Sequence, residues 1–306
     1  MSKTGTLGDG IFRTVLMIFA STILLIVFAM ILMMIANSLP TLKAYGFSFL
    51  TSTEWMPASE VFGALPFIYG TIVSSLIALL IAMPISLGIA IFLVEQAPSR
   101  VAAPIAFLVE LLAAIPSVVY GLWGIFVLAP FIRDYLGVFL QNYVGFLPIF
   151  QGRLTGFGML TGGIIMALMI TPIITAVVRD VLAVVPVSQR EAALALGATK
   201  WETTLIVLGN AASGIAGAIV LGLGRALGET MAVTMLIGNS PQISSSLFEP
   251  AYTIASVLAA NFGDATDQMY MSALIEMGLV LFLVTFVVNA FAKLLVSRVA
   301  KISGGR

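Results

Sequence analysis

The stretch FIYGTIVSSLIALLIAMPISLGIAIFLV, residues 67–94, carries no charged side chain. As a single helix it would extend about 42 Å, more than the ~30 Å hydrocarbon core of a bilayer. It reads as a transmembrane helix that tilts or protrudes. Comparable runs lie at 14–36, 104–130, 154–178, 211–238 and 269–292. Six spans are therefore expected, in an all-α integral membrane protein with one transmembrane domain over residues 1–306. The first run is longer than a signal-peptide core and precedes no small-x-small site, so it is expected to stay as an uncleaved span. Pro84, Pro116 and Pro172 fall inside expected spans, where they mark kinks beside a pathway or ordinary packing bends.

Composition points the same way. Of 306 residues, 60% are hydrophobic and 9% charged, where soluble chains have about 25% charged. The absence of Cys and His excludes disulfides, thiolate nucleophiles, Cys/His metal sites and histidine bases, so no cofactor or metal is expected. Net charge is zero, which leaves no global field to attract nucleic acid. With six spans both termini share a side. That side collects Lys3, Arg13, Arg100, Arg179, Arg190, Lys200, Lys293, Arg298, Lys301 and Arg306, against Lys43, Arg133 and Arg153 opposite. The positive-inside rule then places both termini in the cytoplasm.

The longest cytoplasmic connection, 179–210, reads RDVLAVVPVSQREAALALGATKWETTLIVLGN. Ser188 with Glu191, and Thr199 with Glu202, each fit a capping box at a helix start. Gly197 suits the left-handed close of a short helix over 189–196. A helix-turn-helix elbow is expected. Ala192, Ala193, Leu194 and Leu196 are too apolar for a solvated two-turn helix. They would dock on a partner or pack on the protein's own spans.

The run 211–238, AASGIAGAIVLGLGRALGETMAVTMLIG, holds Arg225 and Glu229 four residues apart. Intramembrane charges cost about 2.5–3.5 kcal/mol each even on the lenient insertion scale, so they normally pair and face a bundle interior or aqueous path. Arg225 could offer an anion its guanidinium fork while Glu229 keeps binding weak, or the two could form a structural pair locking the helix to its neighbours. Glu110 and Glu276 are further intramembrane acids, lining a cavity or simply buried and protonated. Five glycines between 214 and 228 read as a close-packing face.

EAALALG at 191–197 resembles the EAA loop of binding-protein-dependent ABC importer permeases, whose pattern continues to an apolar-x-Leu-Pro. Here Gly209 and Asn210 replace Leu-Pro, which implies a looser entry into the fifth span. FGALPFIYGT (62–71), IPSVVYGLWGIFVLAP (115–130) and GRALGETMAVTMLIGN (224–239) are similar to the PstC-type permeases of phosphate-specific transporters, and the likeness runs nearly end to end. The resemblance implies a type I importer permease in a bacterial cell membrane that moves inorganic phosphate. It pairs with a PstA-like permease, two PstB-like ATPase subunits and a PstS-like binding protein. Glu191, Ala192, Ala193 and Gly197 are then the ATPase coupling residues, and Arg225, Glu229, Glu110 and Glu276 pathway candidates. No Lys follows a Gly, so no phosphate-binding loop for ATP is present and the motor is expected on a partner. An importer of sulfate or molybdate, or an ion-coupled carrier relaying protons through the acids, are the alternatives.

Overall fold

In the computed structural model the backbone is described for residues 7–304 and side chains for 8–294, so Lys3, Arg306 and the side chains of Arg298 and Lys301 lie outside the described residues. The chain order is α1 (Leu7–Tyr45), α2 (Leu65–Ile91, continued by a π-turn Phe92–Gln96), α3 (Ser99–Ala113) and α4 (Ser117–Val144, with π-turns at Gly124–Leu128 and Ile132–Leu136). It continues with α5 (Met159–Val184), α6 (Val187–Ala195), α7 (Lys200–Leu227), α8 (Met231–Leu236), α9 (Ile254–Asn261) and α10 (Gln268–Gly304). Among the described residues six helices, α1, α2, α4, α5, α7 and α10, are long and apolar enough to cross a membrane. Six is the number expected.

α5 is the hub. It packs on α2, α7, α3, α8 and the start of α4, and two thirds of its most apolar window is buried. Its core, Met166, Ile170, Ile174, Val178 and Leu182, meets Ala78, Ala82 and Ala90 of α2 and Val207, Ala211 and Ala218 of α7. Small residues let the backbones approach, which matters in lipid because hydrocarbon does not squeeze helices together as water does. At Gly163 an added Cβ would lie 2.8 Å from Ile77 Cβ, so only glycine fits that crossing. α1 packs on α10, and its remaining apolar side chains are exposed, as suits a lipid-facing helix.

Three sequence expectations on the spans need correction. The run 104–130 is not one helix: α3 ends at Ala113, and α4 starts after Pro116, whose ring lacks an N–H and disfavours helix at Ile115. The spanning helix is therefore 117–144. The run 211–238 is also divided. α7 begins eleven residues earlier, at the Thr199–Glu202 capping box, and ends at Leu227; Gly228–Thr230 breaks it before α8. Finally, entry into α7 is not loose. Without the family's proline the helix runs unbroken through Gly209 and Asn210, and Asn210 Nδ2 donates to Gln189 Oε1 at 2.8 Å, tying it to α6.

At the end of the bundle away from α6, the 237–253 segment returns over α2 and α5. Gly158, Met159 and Leu160 donate the free N–H groups at the α5 start to the Leu236, Glu249 and Leu247 carbonyls, at 2.8–3.2 Å. The YGT of α2 clamps the same segment. Tyr69 Oη donates to the Ser244 carbonyl at 2.5 Å, Gly70 lies directly under the Tyr252 carbonyl, and Thr71 Oγ1 accepts from the Ile254 N–H at 2.9 Å. Thr253 and Ser256 form a capping box at α9 that the sequence reading missed, because serine takes the place usually held by Glu or Gln. Trp55, Phe62, Phe67, Tyr252 and Tyr270 close this end in edge-on and stacked contacts. Burial raises the Tyr252 phenol above the usual tyrosine range, and the hydrogen bond from Asn261 opposes the shift. The ring is thus a neutral packing element.

Gly70→Val would drive a branched side chain into the Tyr252 carbonyl, a backbone atom that cannot rotate away. It is expected to destabilise the protein by about 1–3 kcal/mol. Thermal unfolding of the detergent-solubilised chain, followed by loss of the monodisperse chromatographic peak, measures this. Gly217→Val, where a Cβ meets open space, is the matched control.

Candidate functional site: a charged helix break and a capped elbow

Two places carry the chemistry, one inside the bundle and one at its elbow. Arg225 sits in the last turn of α7, and Glu229 lies just past its end, between Gly228 and Thr230. Arg225 Nη1 meets Glu229 Oε2 at 2.9 Å. They are not on one continuous helical face, as the spacing suggested, because the pair closes across the break. Glu229 also accepts a long bond, 3.4 Å, from the Ala232 N–H at the start of α8, while Thr230 Oγ1 bonds the Gly228 carbonyl at 3.1 Å. The backbone groups released by the break are thus partly met by local side chains.

The pair is asymmetric. Glu229 is 4% exposed and Arg225 45%. The carboxylate is locked into the bundle, and the guanidinium keeps an open side towards a pocket of about 570 Å³ formed with Ile173, Leu221, Gly224, Asn289 and Lys293. A fixed carboxylate and a partly free guanidinium can hold an oxyanion and let it go. Taking away the arginine alone would strand a buried carboxylate at a cost of about 3–5 kcal/mol.

The other two acids lie elsewhere. Glu110 is on α3, not in a span, and half exposed; its Oε1 accepts from Arg179 Nη1 at 2.8 Å, so it has the partner that sequence alone did not supply. Glu276 is buried at 3% exposure on α10. It lines a separate apolar groove with Leu42, Phe47 and Leu283, and its Oε2 has no hydrogen-bond partner among the described residues. Neither lines the pocket of Arg225.

At the elbow, α6 spans 187–195, with Pro186 at its N-cap and no side-chain cap. Ser188 is therefore not a cap, and the Ser188–Glu191 box does not form. Proline's fixed φ starts the helix two residues early, at Val187, which puts Ser188 inside the first turn. Thr199 does cap α7: its Oγ1 accepts from the Glu202 N–H at 3.3 Å, and the Glu202 carboxylate accepts from the Thr199 N–H at 2.7 Å. Gly197 takes φ +85°, as expected. The Gly197 and Ala198 N–H groups donate back to the Leu194 and Ala193 carbonyls, closing α6 in a Schellman turn.

The apolar face of α6 divides in two. Ala193 is buried against the protein, whereas Glu191, Ala192 and Gly197 are exposed and Leu196 is 90% exposed. Val184, Val187, Leu194 and Trp201, near it in sequence, are likewise uncovered.

Arg190 is the residue that sequence reasoning missed, having counted it only as a topology charge. Its guanidinium meets Glu95 at 2.8 Å, the Val185 carbonyl at 2.6 Å and the Leu182 carbonyl at 3.0 Å. Arg190 is 18% exposed and Glu95 9%. One side chain thus joins α6, the end of α5 and the π-turn after α2. The two partners lie 95 residues apart, and no local pattern pairs them.

Comparisons with known proteins agree with this architecture. Residues 83–301 match the family described as binding-protein-dependent transport system inner membrane component. The phosphate transport system permease protein PstC of Xylella fastidiosa strain Temecula1 is 47% identical over 97% of this chain and 93% of its own. The protein of that name from Mesorhizobium japonicum is 44% identical over 96% and 91%. A probable PstC of Methanocaldococcus jannaschii is 40% identical over 83% and 82%. An inward-facing structure of the MetNI methionine ABC transporter is 16% identical, with TM-score 0.55 over 80% of this chain and 99% of that one, and shares the fold. The chain belongs to the binding-protein-dependent transport system inner membrane components, within the PstC permeases, as a multi-pass membrane protein.

Proposed function

We propose that this chain is the permease subunit of an ATP-driven inorganic phosphate importer and forms half of its translocation path. The observation that carries the reading is the Arg225–Glu229 pair, a guanidinium held by a buried carboxylate at a helix break and open on its other side to a pocket. A purely structural pair would be most stable fully packed and hydrogen-bonded. The names of the PstC relatives supply the substrate.

The partners follow from the same reading: a PstA-like permease, two PstB-like ATPases and a PstS-like binding protein. The cytoplasmic side is the one bearing α6. The uncovered side chains around Leu196 would seat α6 in a cleft of the ATPase, with Glu191, Ala192 and Gly197 on the same exposed helix end. α6 packs on α7 with Ala193 buried, so the contact would pass to α7. ATP-driven closure of the ATPase pair would move α6, and Arg190 would carry that movement to α5 and, through Glu95, to α2. The motor can shift the permease only if its contact with α6 differs between its two states. Glu110 and Glu276, away from the Arg225 pocket, are assigned to holding α3 on α5 and to the α1–α10 contact.

Three outcomes are expected. The Arg225→Gln/Glu229→Gln double variant removes both charges without stranding either. It should assemble normally yet lose about tenfold or more of ATP-dependent phosphate uptake, the size of a lost charge-assisted contact; wild-type uptake would return the pair to a structural role. Because the chain has no cysteine, Leu196→Cys gives a single crosslinking site, and its yield to the ATPase should change with bound nucleotide. Equal yields in all nucleotide states would count against the coupling. Glu95→Gln should reduce uptake about tenfold more than ATP hydrolysis, since it weakens the joint rather than the motor. Parallel loss of both activities would mean ordinary destabilisation.

A further inference from the structure

The pocket beside Arg225 contains two groups that the proposed path has not used. Lys293 and Asn289 lie one helical turn apart on α10 and line the pocket with Arg225 and Gly224 of α7. Among the described residues no carboxylate pairs with Lys293, whereas Glu229 neutralises Arg225. Two cations therefore line the pocket, and one acid, Glu229, is paired to the first of them. Like charges sharing a concavity walled by Ile173, Val220 and Leu221 repel each other. An anion between them turns the repulsion into attraction.

Asn289 adds a second, independent sign. Its Oδ1 is sealed from solvent and has no hydrogen-bond partner among the described residues. A buried amide oxygen without a donor is destabilising, and native proteins rarely leave one so. The donors nearest in kind, Arg225 and Lys293, line the same pocket, yet neither bonds it. What the amide lacks is a partner that brings its own hydrogen. Inorganic phosphate keeps at least one P–OH proton at neutral pH, while sulfate keeps none. Asn289 lines the pocket and its amide torsion is broad and soft, so the amide can turn to present Oδ1 there.

We infer that Lys293 and Asn289 form, with Arg225, a station for a protonated oxyanion: the two cations take the charged oxygens and Asn289 Oδ1 accepts the P–OH hydrogen. This rests on the transport reading above and extends it, because the permease then discriminates phosphate from sulfate itself. An acceptor presented to sulfate meets only lone pairs, so the station rejects it by leaving a buried polar group unpaired. Lys293 lies beyond Asn289 in the direction of the cytoplasmic end of α10, which makes the station an inward extension of the Arg225 site.

The test is protection of Lys293 from acetylation by acetic anhydride in the detergent-purified importer complex, read by mass spectrometry of the peptide containing it. Inorganic phosphate should slow labelling about tenfold more than sulfate at equal ionic strength, and Asn289→Leu should abolish the difference. Equal protection by both anions would reduce the effect to general charge screening and overturn the inference, as would no protection by either. Lys293→Gln should in turn lower ATP-dependent phosphate uptake about tenfold, with Lys293→Arg restoring most of it. Wild-type uptake by Lys293→Gln would also overturn it. A wild-type complex that shows phosphate-selective protection but no phosphate uptake would instead fail the transport proposal and leave the station standing.

Discussion

Hydrocarbon offers no hydrogen-bond partner to a peptide group, and the rest of this structure follows from that constraint. Wherever the chain crosses the bilayer it is helical, so function must be built where the helices stop. Each stop brings its own partners. The α5 start gives its free N–H groups to the 236–249 segment. α7 begins on the Thr199–Glu202 box and α9 on the Thr253–Ser256 box. The break at Gly228–Thr230 is served by Glu229 and Thr230. This last break is where a carboxylate is buried and a guanidinium is left half free.

Two arginine–carboxylate pairs differ in their surroundings, and the roles proposed for them differ accordingly. Arg190 is held by Glu95 and two backbone carbonyls and has little freedom, which suits a joint. Arg225 has one firm partner and an open side, which suits a contact made and broken. Between them runs α7, continuous over Lys200–Leu227 and about 42 Å long, from the elbow to the charged break. A displacement of α6 thus has a rigid route towards Arg225 through α7, and another towards α2 through Glu95. The unbroken passage through Gly209 and Asn210 makes the first route stiffer here than a proline at that place would.

Much of this was legible in the sequence, and the exceptions share a cause. Long apolar runs with at most two charges each marked the six spans, because lipid permits few other readings of them. Local signatures also held: Thr199 with Glu202, and Gly197 with its positive φ. The failures came where hydropathy does not report backbone geometry. Residues 104–130 carry a single charge, Glu110, yet Pro116 divides them between two helices. Gly228 splits 211–238 in the same way. Ser188 matched a capping template, but Pro186 had already started the helix. Glu110–Arg179 and Glu95–Arg190 join residues 69 and 95 positions apart, and a single sequence carries no signal of which distant charges meet. The family resemblance was legible because it rested on long motifs, whose structural reasons, such as the clamp made by Tyr69, Gly70 and Thr71, emerged only in the fold.

In the proposed cycle, ATP hydrolysed on a partner drives phosphate through this chain. The most direct measurement is radiolabelled phosphate uptake into proteoliposomes holding the complete importer, with the binding protein outside and ATP or a non-hydrolysable analogue enclosed. Phosphate should accumulate against a gradient with ATP and not with the analogue. Accumulation with the analogue, or by this chain alone under an ion gradient, would contradict it.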